Sequence, residues 1–191
     1  MAEEIEIRLS GSGGQGLMLA ARILAAALTT DGLNVARSQS YEPTSRGGLS
    51  RSDLVVSDGE VDYPLVTTLD YLLIMDQIAA HASTELLKPG AIVVIDNSRV
   101  TSAPQGEFRT YSLPLTEIAR KVGNRRVANI VALGALTGIG GPCKQESVEQ
   151  AVDHHVPKGF LELNLNAFKE GFRLASTGAA AGVPAPMVSV V

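Results

Sequence analysis

The chain has 191 residues, 45% hydrophobic and 19% charged, which suits one folded domain with an apolar core and excludes wholesale disorder. Its formal net charge of −4 gives no support for binding to nucleic acid. Aromatic residues make up only 4% and tryptophan is absent, so the core must consist of aliphatic side chains.

The sequence shows no sign of export or of a membrane anchor. Residues 1–4 lack the basic start and apolar stretch of a signal peptide, and no apolar run approaches the ~20 residues of a membrane span. The one cysteine, Cys143, cannot form an internal disulfide and cannot by itself hold a structural zinc or an iron–sulfur cluster. We therefore expect a soluble cytoplasmic protein without a metal site of its own.

The first predicted elements are a strand, a glycine-rich turn and a helix. Apolar and charged residues alternate over 5–10, which predicts a strand with one polar face, and residues 17–30 have the apolar spacing of a helix. Between them, residues 11–16 read GSGGQG and form the glycine loop, which fits G-x-G-x-x-G with one further glycine. The candidate anion-binding residues are Gly11, Gly13, Gly14, Gln15 and Gly16.

The physical reason for an anion site in the glycine loop is access to the backbone. Without a Cβ, glycine lets N–H groups approach an anion, and the following helix adds unpaired donors and the positive end of its dipole. The alternative is a tight strand-to-helix turn that binds nothing, because a glycine fingerprint alone is unspecific.

The second predicted strand, residues 34–38, argues against a nicotinamide dinucleotide. Such a site places an acidic residue at the end of the second strand, about 20 residues after the glycines. Here the strand ends with Arg37, Ser38 and Gln39, and Asp31 lies in the turn before it. We expect no binding of NAD(H), so the glycine loop remains a candidate for another anion.

Residues 40–53 are predicted to form a long loop, because Pro43 and the pair Gly47-Gly48 interrupt regular structure. Long loops with this chemistry are more often functional than filler. A short strand over 54–56 is expected to follow.

Strands and helices alternate through the rest of the chain. The predicted strands are 71–76, 91–96 and 108–113; the predicted helices are 77–87, 115–122, 127–137, 145–152 and 163–175. Apolar strands separated by helices indicate an α/β fold, here a three-layer, Rossmann-like, parallel or mixed sheet with helices on both faces. We expect a single α/β domain over residues 1–176 and an Ala/Gly/Pro-rich tail over 177–191.

The side chains available for catalysis are few. Asp76 and Asp96 end buried strands, where α/β sheets bind ligands, but each could instead cap the segment that follows. The histidines follow no pattern that pairs them with a nucleophile or a metal; they are His81, His154 and His155. The helix over 127–137 is apolar on all sides and must be buried by its own chain or by a partner. The chain therefore looks like a binding subunit with no catalytic residue of its own.

The combination of the glycine loop with the arginine-containing segment after it resembles the gamma subunit of 2-oxoacid:ferredoxin oxidoreductases, most closely the 2-oxoglutarate branch. The resemblance covers about residues 5–175. The motifs that carry it are GSGGQG at 11–16, SQSYEPTSRGGLSRSD at 38–53, DYPLV at 62–66, LLIMDQ at 72–77, the strand at 91–96, NIVALGAL at 129–136 and NLNAFKEG at 164–171.

The resemblance implies a subunit of a complex of anaerobic metabolism that converts a 2-oxoacid, coenzyme A and oxidised ferredoxin into acyl-CoA, carbon dioxide and reduced ferredoxin. Thiamine diphosphate, Mg²⁺ and [4Fe–4S] clusters are implied on partner subunits of alpha, beta and delta type, and none on this chain. The chain would then be inactive alone. A free-standing nucleotide-binding domain, a scaffold subunit and the indolepyruvate or another 2-oxoacid branch remain alternatives.

The resemblance also singles out the segment 41–53, which we expect to face a partner chain near the active centre or coenzyme A itself. The candidate residues are Tyr41, Arg46, Gly47, Gly48 and Arg51. Arginine suits the phosphates of coenzyme A, and glycine supplies backbone freedom. The alternative is that Arg46 only ties the segment to a nearby carboxylate.

Overall fold

The computed structural model describes residues 4–42, 47–61 and 63–176, and they form a six-stranded sheet with five α-helices. The strands are β1 (Glu4–Ser12), β2 (Asn34–Tyr41), β3 (Leu49–Ser57), β4 (Leu69–Ile74), β5 (Leu87–Asp96) and β6 (Arg109–Leu113). The α-helices are α1 (Leu17–Thr30), α2 (Leu115–Val122), α3 (Ala128–Gly138), α4 (Gln145–His155) and α5 (Leu161–Ser176). The predicted tail, 177–191, lies outside the described residues.

The sheet has the strand order β2-β3-β1-β4-β5-β6 and is mixed. Strands β1, β4, β5 and β6 run parallel, whereas β3 is antiparallel to both of its neighbours, β1 and β2. The predicted α/β class with a parallel or mixed sheet is therefore confirmed.

The larger apolar core lies on one face of the sheet and includes buried residues of all five α-helices. β1 contributes Ile7 and Leu9 to this core, and β3 contributes Leu54 and Val56, all of them fully buried. On the opposite face a smaller apolar cluster of β4 and β5 is covered by short 3₁₀ helices, Gln77–Ala79 and Thr84–Leu86.

The polar face of β1 is buried in the middle of the sheet, where Arg8 is paired with a carboxylate and Glu6 is hydrogen-bonded. Arg8 donates to both carboxylate oxygens of Asp53 on β3 at 2.7 Å and to Ser83 Oγ at 2.9 Å. Glu6 accepts hydrogen bonds from the backbone N–H groups of Thr67 and Thr68. Pairing of this kind removes the large free-energy cost of an isolated buried charge, which is why an alternating strand can occupy a central position.

Two predicted elements differ in the structure. The predicted α-helix over 77–87 is wrong: the segment forms two 3₁₀ helices joined by turns, and β5 already begins at Leu87. The Gln77 side chain accepts hydrogen bonds from the N–H groups of Thr101 and Ser102, at 2.8 and 2.9 Å. Within the segment, backbone N–H groups donate to carbonyls three residues back, as Ala80 does to Gln77 and Leu86 to Ser83, so these groups are satisfied without an α-helix.

The predicted long loop over 40–53 is also wrong for half of its length. Tyr41 belongs to β2, and β3 begins at Leu49, with Tyr41 opposite Ser50 in the antiparallel register. β3 also pairs with β1 along its whole length. Ladder hydrogen bonds on both sides override the weak strand propensity of its serines and arginine, which is context-dependent in any case.

Helices α3 and α5 pack with their backbones in unusually close contact. A Cβ added at Gly134 would lie 2.8 Å from the backbone nitrogen of Phe172, and one at Gly171 would lie 3.0 Å from that of Ala135. Each would also overlap a backbone carbonyl of the facing helix. Helix α3, which the sequence predicted to be apolar on all sides, is thus covered on this side by α5 of the same chain. Within the described residues, no helix is both long and apolar enough to span a membrane.

Candidate functional site

The glycine loop joins the end of β1 to the start of α1. Gly11 and Ser12 are the last residues of β1, and Gly16 is the N-cap of α1 in a left-handed conformation with φ 75°. Gly14 also has a positive φ, 93°, so both positions require the freedom of glycine.

Several N–H groups of the glycine loop are already used within the chain. Ser12 N donates to Gln15 Oε1 at 2.8 Å, Gly13 N donates to the carbonyl of Gly48 at 2.9 Å, and Gln15 N donates to the carbonyl of Ser12 at 3.3 Å. Within the described residues, the N–H groups of this region that remain open toward a ligand are those of Gly14, Gly16 and the first turn of α1, which have no partner within the helix. Anion binding by the loop stays a prediction, restricted to these groups.

A cleft of about 300 Å³ opens beside the glycine loop, and we call it the arginine cleft. Its walls are Ser12, Gly13, Gly14, Gln15, Met75, Arg99, Thr116, Arg120, Arg125, Arg126 and Ala128. The N-terminal ends of α1, α2 and α3 all reach it, through Gln15, Thr116 and Ala128 respectively. Four arginines and the positive ends of α1 and α3 make this a region of positive potential in a chain of net charge −4, whereas the Asp96 carboxylate at the start of α2 offsets the third helix end.

The four arginines of the cleft differ in their availability to a ligand. Arg99 donates to Asp76 Oδ2 from Nη2 at 2.6 Å and from Nε at 3.0 Å, and Arg120 donates to Glu117 at 2.7 Å. The side chains of Arg125 and Arg126 are exposed and make no hydrogen bond or ion pair within the described residues. These two guanidinium groups are the cations best placed to meet an anionic ligand. The sequence did not mark them as site residues; the available signal was the adjacent pair of arginines directly before the buried helix.

The two acids at strand ends both act as caps. Asp76 accepts from the N–H of Ile78 at 3.3 Å, and the fully buried Asp96 accepts from the N–H of Ser98 at 3.1 Å. Asp96 also accepts from the backbone and hydroxyl of Thr116, which fixes the start of α2 at the arginine cleft. Of the two interpretations of these acids, the structure supports capping.

The second predicted group of site residues lies around the β2–β3 hairpin. Gly48 accepts the hydrogen bond from Gly13, so the hairpin contacts the glycine loop directly. Tyr41 is 72% exposed, and Gly47 has a φ of 98°. Arg51 donates to the carbonyl of Ala82 at 3.2 Å; partial burial, and then the neighbouring charge of Arg8, lower its pKa. Arg46 lies outside the described residues.

The strand order adds a geometric argument against a nicotinamide dinucleotide. In a dinucleotide-binding fold the second strand lies next to the first, so that its terminal acid can reach the ribose. Here β3 lies between β1 and β2, which puts the end of β2 about 10 Å from β1 at the usual strand spacing.

The histidines make local hydrogen bonds. The Nδ1 atoms of His154 and His155 lie 2.8 and 2.9 Å from carbonyl oxygens one turn back in α4, and His81 Nε2 lies 3.3 Å from Ser102 Oγ. Across 4–42, 47–61 and 63–176, no group of three or more His, Cys, Asp or Glu side chains is arranged to hold a metal ion.

The thiol of Cys143 should be unreactive in the folded protein. Burial, and then the negative charge of Asp31, raise its pKa to about 12. Because this pKa lies above an ordinary thiol value of about 8.5, the thiolate fraction at pH 8 is lower by roughly a thousandfold. We expect iodoacetamide to label the native chain about a thousandfold more slowly than the chain in urea, measured by mass spectrometry. Equal labelling rates in the two states would contradict a half-buried, protonated thiol.

A family model and an individual relative both match nearly the whole chain. The family model of pyruvate ferredoxin/flavodoxin oxidoreductase matches residues 6–174. The chain is 41% identical over 174 residues to 2-oxoglutarate synthase subunit KorC of Methanocaldococcus jannaschii, a match that covers 89% of this chain and 93% of that protein.

Solved structures show the same relationship. The gamma subunit of a keto/oxoacid ferredoxin oxidoreductase from Geobacter sulfurreducens superposes with a TM-score of 0.85 at 43% identity, over 94% of this chain and 99% of that one. A 2-oxoglutarate:ferredoxin oxidoreductase from Magnetococcus marinus, with 2-oxoglutarate, coenzyme A and succinyl-CoA bound, superposes with a TM-score of 0.82. That match is 24% identical and covers 92% of this chain but 31% of the other, so it shows a shared fold.

Proposed function

Because the chain belongs to the pyruvate ferredoxin/flavodoxin oxidoreductase family, we propose that it is the gamma subunit of a 2-oxoacid:ferredoxin oxidoreductase whose substrate is 2-oxoglutarate. The observation that carries this proposal is the 41% identity to a 2-oxoglutarate synthase subunit over 93% of that protein's length. The assembled enzyme would convert 2-oxoglutarate, coenzyme A and oxidised ferredoxin into succinyl-CoA, carbon dioxide and reduced ferredoxin. It would work in the cytoplasm.

The reactive centres belong to partner chains in this proposal. Thiamine diphosphate with Mg²⁺ would supply decarboxylation, and [4Fe–4S] clusters would pass electrons to ferredoxin, on subunits of alpha, beta and delta type. The lone cysteine of this chain does not fit a cluster, which needs several thiolates, and the described residues offer no three-ligand metal set. This chain's contribution is then to bind and orient.

The arginine cleft is the part of this chain that we assign to coenzyme A. Its phosphates are anions that Arg125 and Arg126 can bind through charge-assisted hydrogen bonds. The open N–H groups of Gly14, Gly16 and the first turn of α1 would meet the same anion at a positive helix end. The cleft would act on binding alone, since none of the described residues that line it could accept a proton from the reacting thiol.

The β2–β3 hairpin is the part that we assign to the contact with a catalytic chain. Tyr41 is the most exposed of the large apolar side chains among the described residues, at 72%, and it stands at the end of the hairpin that touches the glycine loop. Exposed aromatic residues of this kind are enriched at protein interfaces. Gly47, Gly48 and Arg51, together with Arg46, complete the proposed contact.

The proposed role predicts an all-or-none dependence of the complex on this chain. Assayed alone with 2-oxoglutarate, coenzyme A and an artificial electron acceptor, the purified chain should show no turnover above background. The remaining subunits, expressed without it, should lose most of their activity and regain it when the purified chain is added. The same assay with pyruvate and indolepyruvate identifies the 2-oxoacid.

Two outcomes would count against this role. Turnover by the isolated chain would favour a self-sufficient enzyme, and full activity of the remaining subunits would show that the chain is dispensable. A complex that prefers pyruvate or indolepyruvate would overturn the substrate but keep the subunit assignment.

A further inference from the structure

We propose that Asn129 is a positioning residue for the glycine loop, and through it for the phosphate group that the arginine cleft receives. The inference rests on the proposed binding of coenzyme A at that cleft. It assigns a role to a side chain that the glycine pattern does not contain and that lies 113 residues from the loop along the chain.

Asn129 is an unusual residue for its position. It is buried, 3% exposed, in the first turn of helix α3, which is apolar apart from Asn129 and Thr137. Its Nδ2 donates to the carbonyl oxygen of Gly16 at 3.0 Å. The other buried polar side chain of α3, Thr137, bonds within its own helix, to the carbonyl of Leu133 at 2.9 Å. Asn129 therefore links α3 to the glycine loop, whereas Thr137 does not.

The hydrogen bond from Asn129 acts on the peptide group that begins α1. The carbonyl of Gly16 accepts from Asn129 and also from the N–H of Ala20 at 3.1 Å. The same peptide group carries the N–H of Leu17, one of the donors left open at the helix end. Two hydrogen bonds at the carbonyl polarise this peptide and strengthen its N–H as a donor.

The contact also fixes the conformation of Gly16. A Cβ added at Gly16 would lie 2.6 Å from Asn129 Nδ2, so the amide occupies the space that any other residue would need. Gln15 holds the other side of the loop, because its Nε2 donates to the carbonyl of Met75 at 2.9 Å and its Oε1 accepts from Ser12. The loop is thus fixed to β1, to the end of β4 and to α3.

A preorganised loop should affect binding and leave the chemical step unchanged, since the reaction occurs on other chains. In the assembled enzyme, Asn129→Leu removes the donor while keeping the same branched arrangement of side-chain heavy atoms, although its methyl groups are larger than the amide. We expect the KM for coenzyme A to rise roughly tenfold, in line with the loss of one hydrogen bond, with kcat at saturating coenzyme A within about twofold. Asn129→Ser, which is too short to reach Gly16, should give the same separation of KM from kcat.

Thr137→Val is the matched control, because it removes a buried hydrogen bond from the same helix away from the cleft. It should leave the KM for coenzyme A unchanged. Hydrogen exchange in the ligand-free complex supplies a second readout: amides of residues 12–19 should exchange faster in Asn129→Leu and at the wild-type rate in Thr137→Val.

The outcomes separate this inference from the proposed function. An unchanged KM and unchanged exchange in both Asn129 variants, in an enzyme whose KM does respond to changes at Arg125 and Arg126, would overturn the role of Asn129 alone. A KM that responds to neither the asparagine nor the arginines would overturn the proposed coenzyme A cleft, and the inference with it.

Discussion

Gly171→Val should prevent the chain from reaching its native fold. Helices α3 and α5 approach so closely that a Cβ at Gly171 would overlap the carbonyl of Val131 and lie 3.0 Å from the backbone nitrogen of Ala135. The obstructing atoms are backbone atoms of a buried helix, which cannot rotate away as a side chain would. The helices must separate, and with them the core that α3 forms with the sheet.

The expected size of this effect exceeds that of ordinary overpacking. Extra methylenes in a core cost about 1–3 kcal/mol when neighbouring side chains can adjust. Here we expect the free energy of unfolding to fall by at least about 4 kcal/mol, a large part of a typical domain stability of about 5–15 kcal/mol. Gly171→Ala should already lower the melting temperature clearly, and Gly171→Val should yield insoluble protein or no cooperative transition.

Gly159→Val is the matched control for the packing prediction. Gly159 lies directly before α5, in the 3₁₀ helix Lys158–Phe160, and a Cβ there would have no neighbour within 4 Å. Thermal unfolding followed by circular dichroism compares the variants. A Gly171→Val chain that melts within about 2 °C of the wild type, equivalent to less than 1 kcal/mol, would show that the two helices can move apart freely.

Reversing the two unpaired charges of the arginine cleft should weaken coenzyme A binding strongly. In the assembled enzyme we expect the double variant Arg125→Glu/Arg126→Glu to raise the KM for coenzyme A roughly 30- to 100-fold. This increase corresponds to a loss of about 2–3 kcal/mol of binding free energy for two charge-assisted hydrogen bonds. We expect a value near the low end for such bonds because both side chains are exposed. The kcat at saturating coenzyme A should change little.

Salt provides a second measurement for the arginine cleft. The KM of the wild-type enzyme should rise with ionic strength, because screening weakens attraction between an exposed cation and a phosphate. Arg22→Glu/Lys169→Glu makes the same change in net charge on the exposed faces of α1 and α5, outside the cleft. An equal KM increase in this control would mean that overall charge attracts coenzyme A. If the KM for coenzyme A does not increase in the cleft variant, the phosphates of coenzyme A bind elsewhere.

The sequence alone determined the elements whose signals are local. The bounds predicted for α1 and α2 coincide with those in the structure, because apolar residues recur there at helical spacing and the ends carry clear stop signals. The strand, glycine turn and helix order around residues 11–16 was equally local, as was the buried character of α3. These features depend on residues within a few turns of one another.

The tertiary structure decided the features that depend on pairing between distant segments. β3 enters the sheet between β1 and β2, which turns a predicted loop into a hairpin, because its hydrogen bonds come from both neighbours. The predicted helix over 77–87 gives way to 3₁₀ turns, and the Gln77 side chain bonds to residues 24 and 25 positions later, a contact that no local pattern could indicate.

The candidate site shows the same division. The glycine loop was visible in the sequence, since its conformational requirement is local to Gly14 and Gly16. The arginines of the cleft and the hydrogen bond from Asn129 were not visible, because they reach the loop only when α2 and α3 stand beside α1 on one face of the sheet. Local spacing determines which segments become helices and turns, whereas the contacts that surround a ligand come from residues that only the folded chain brings together.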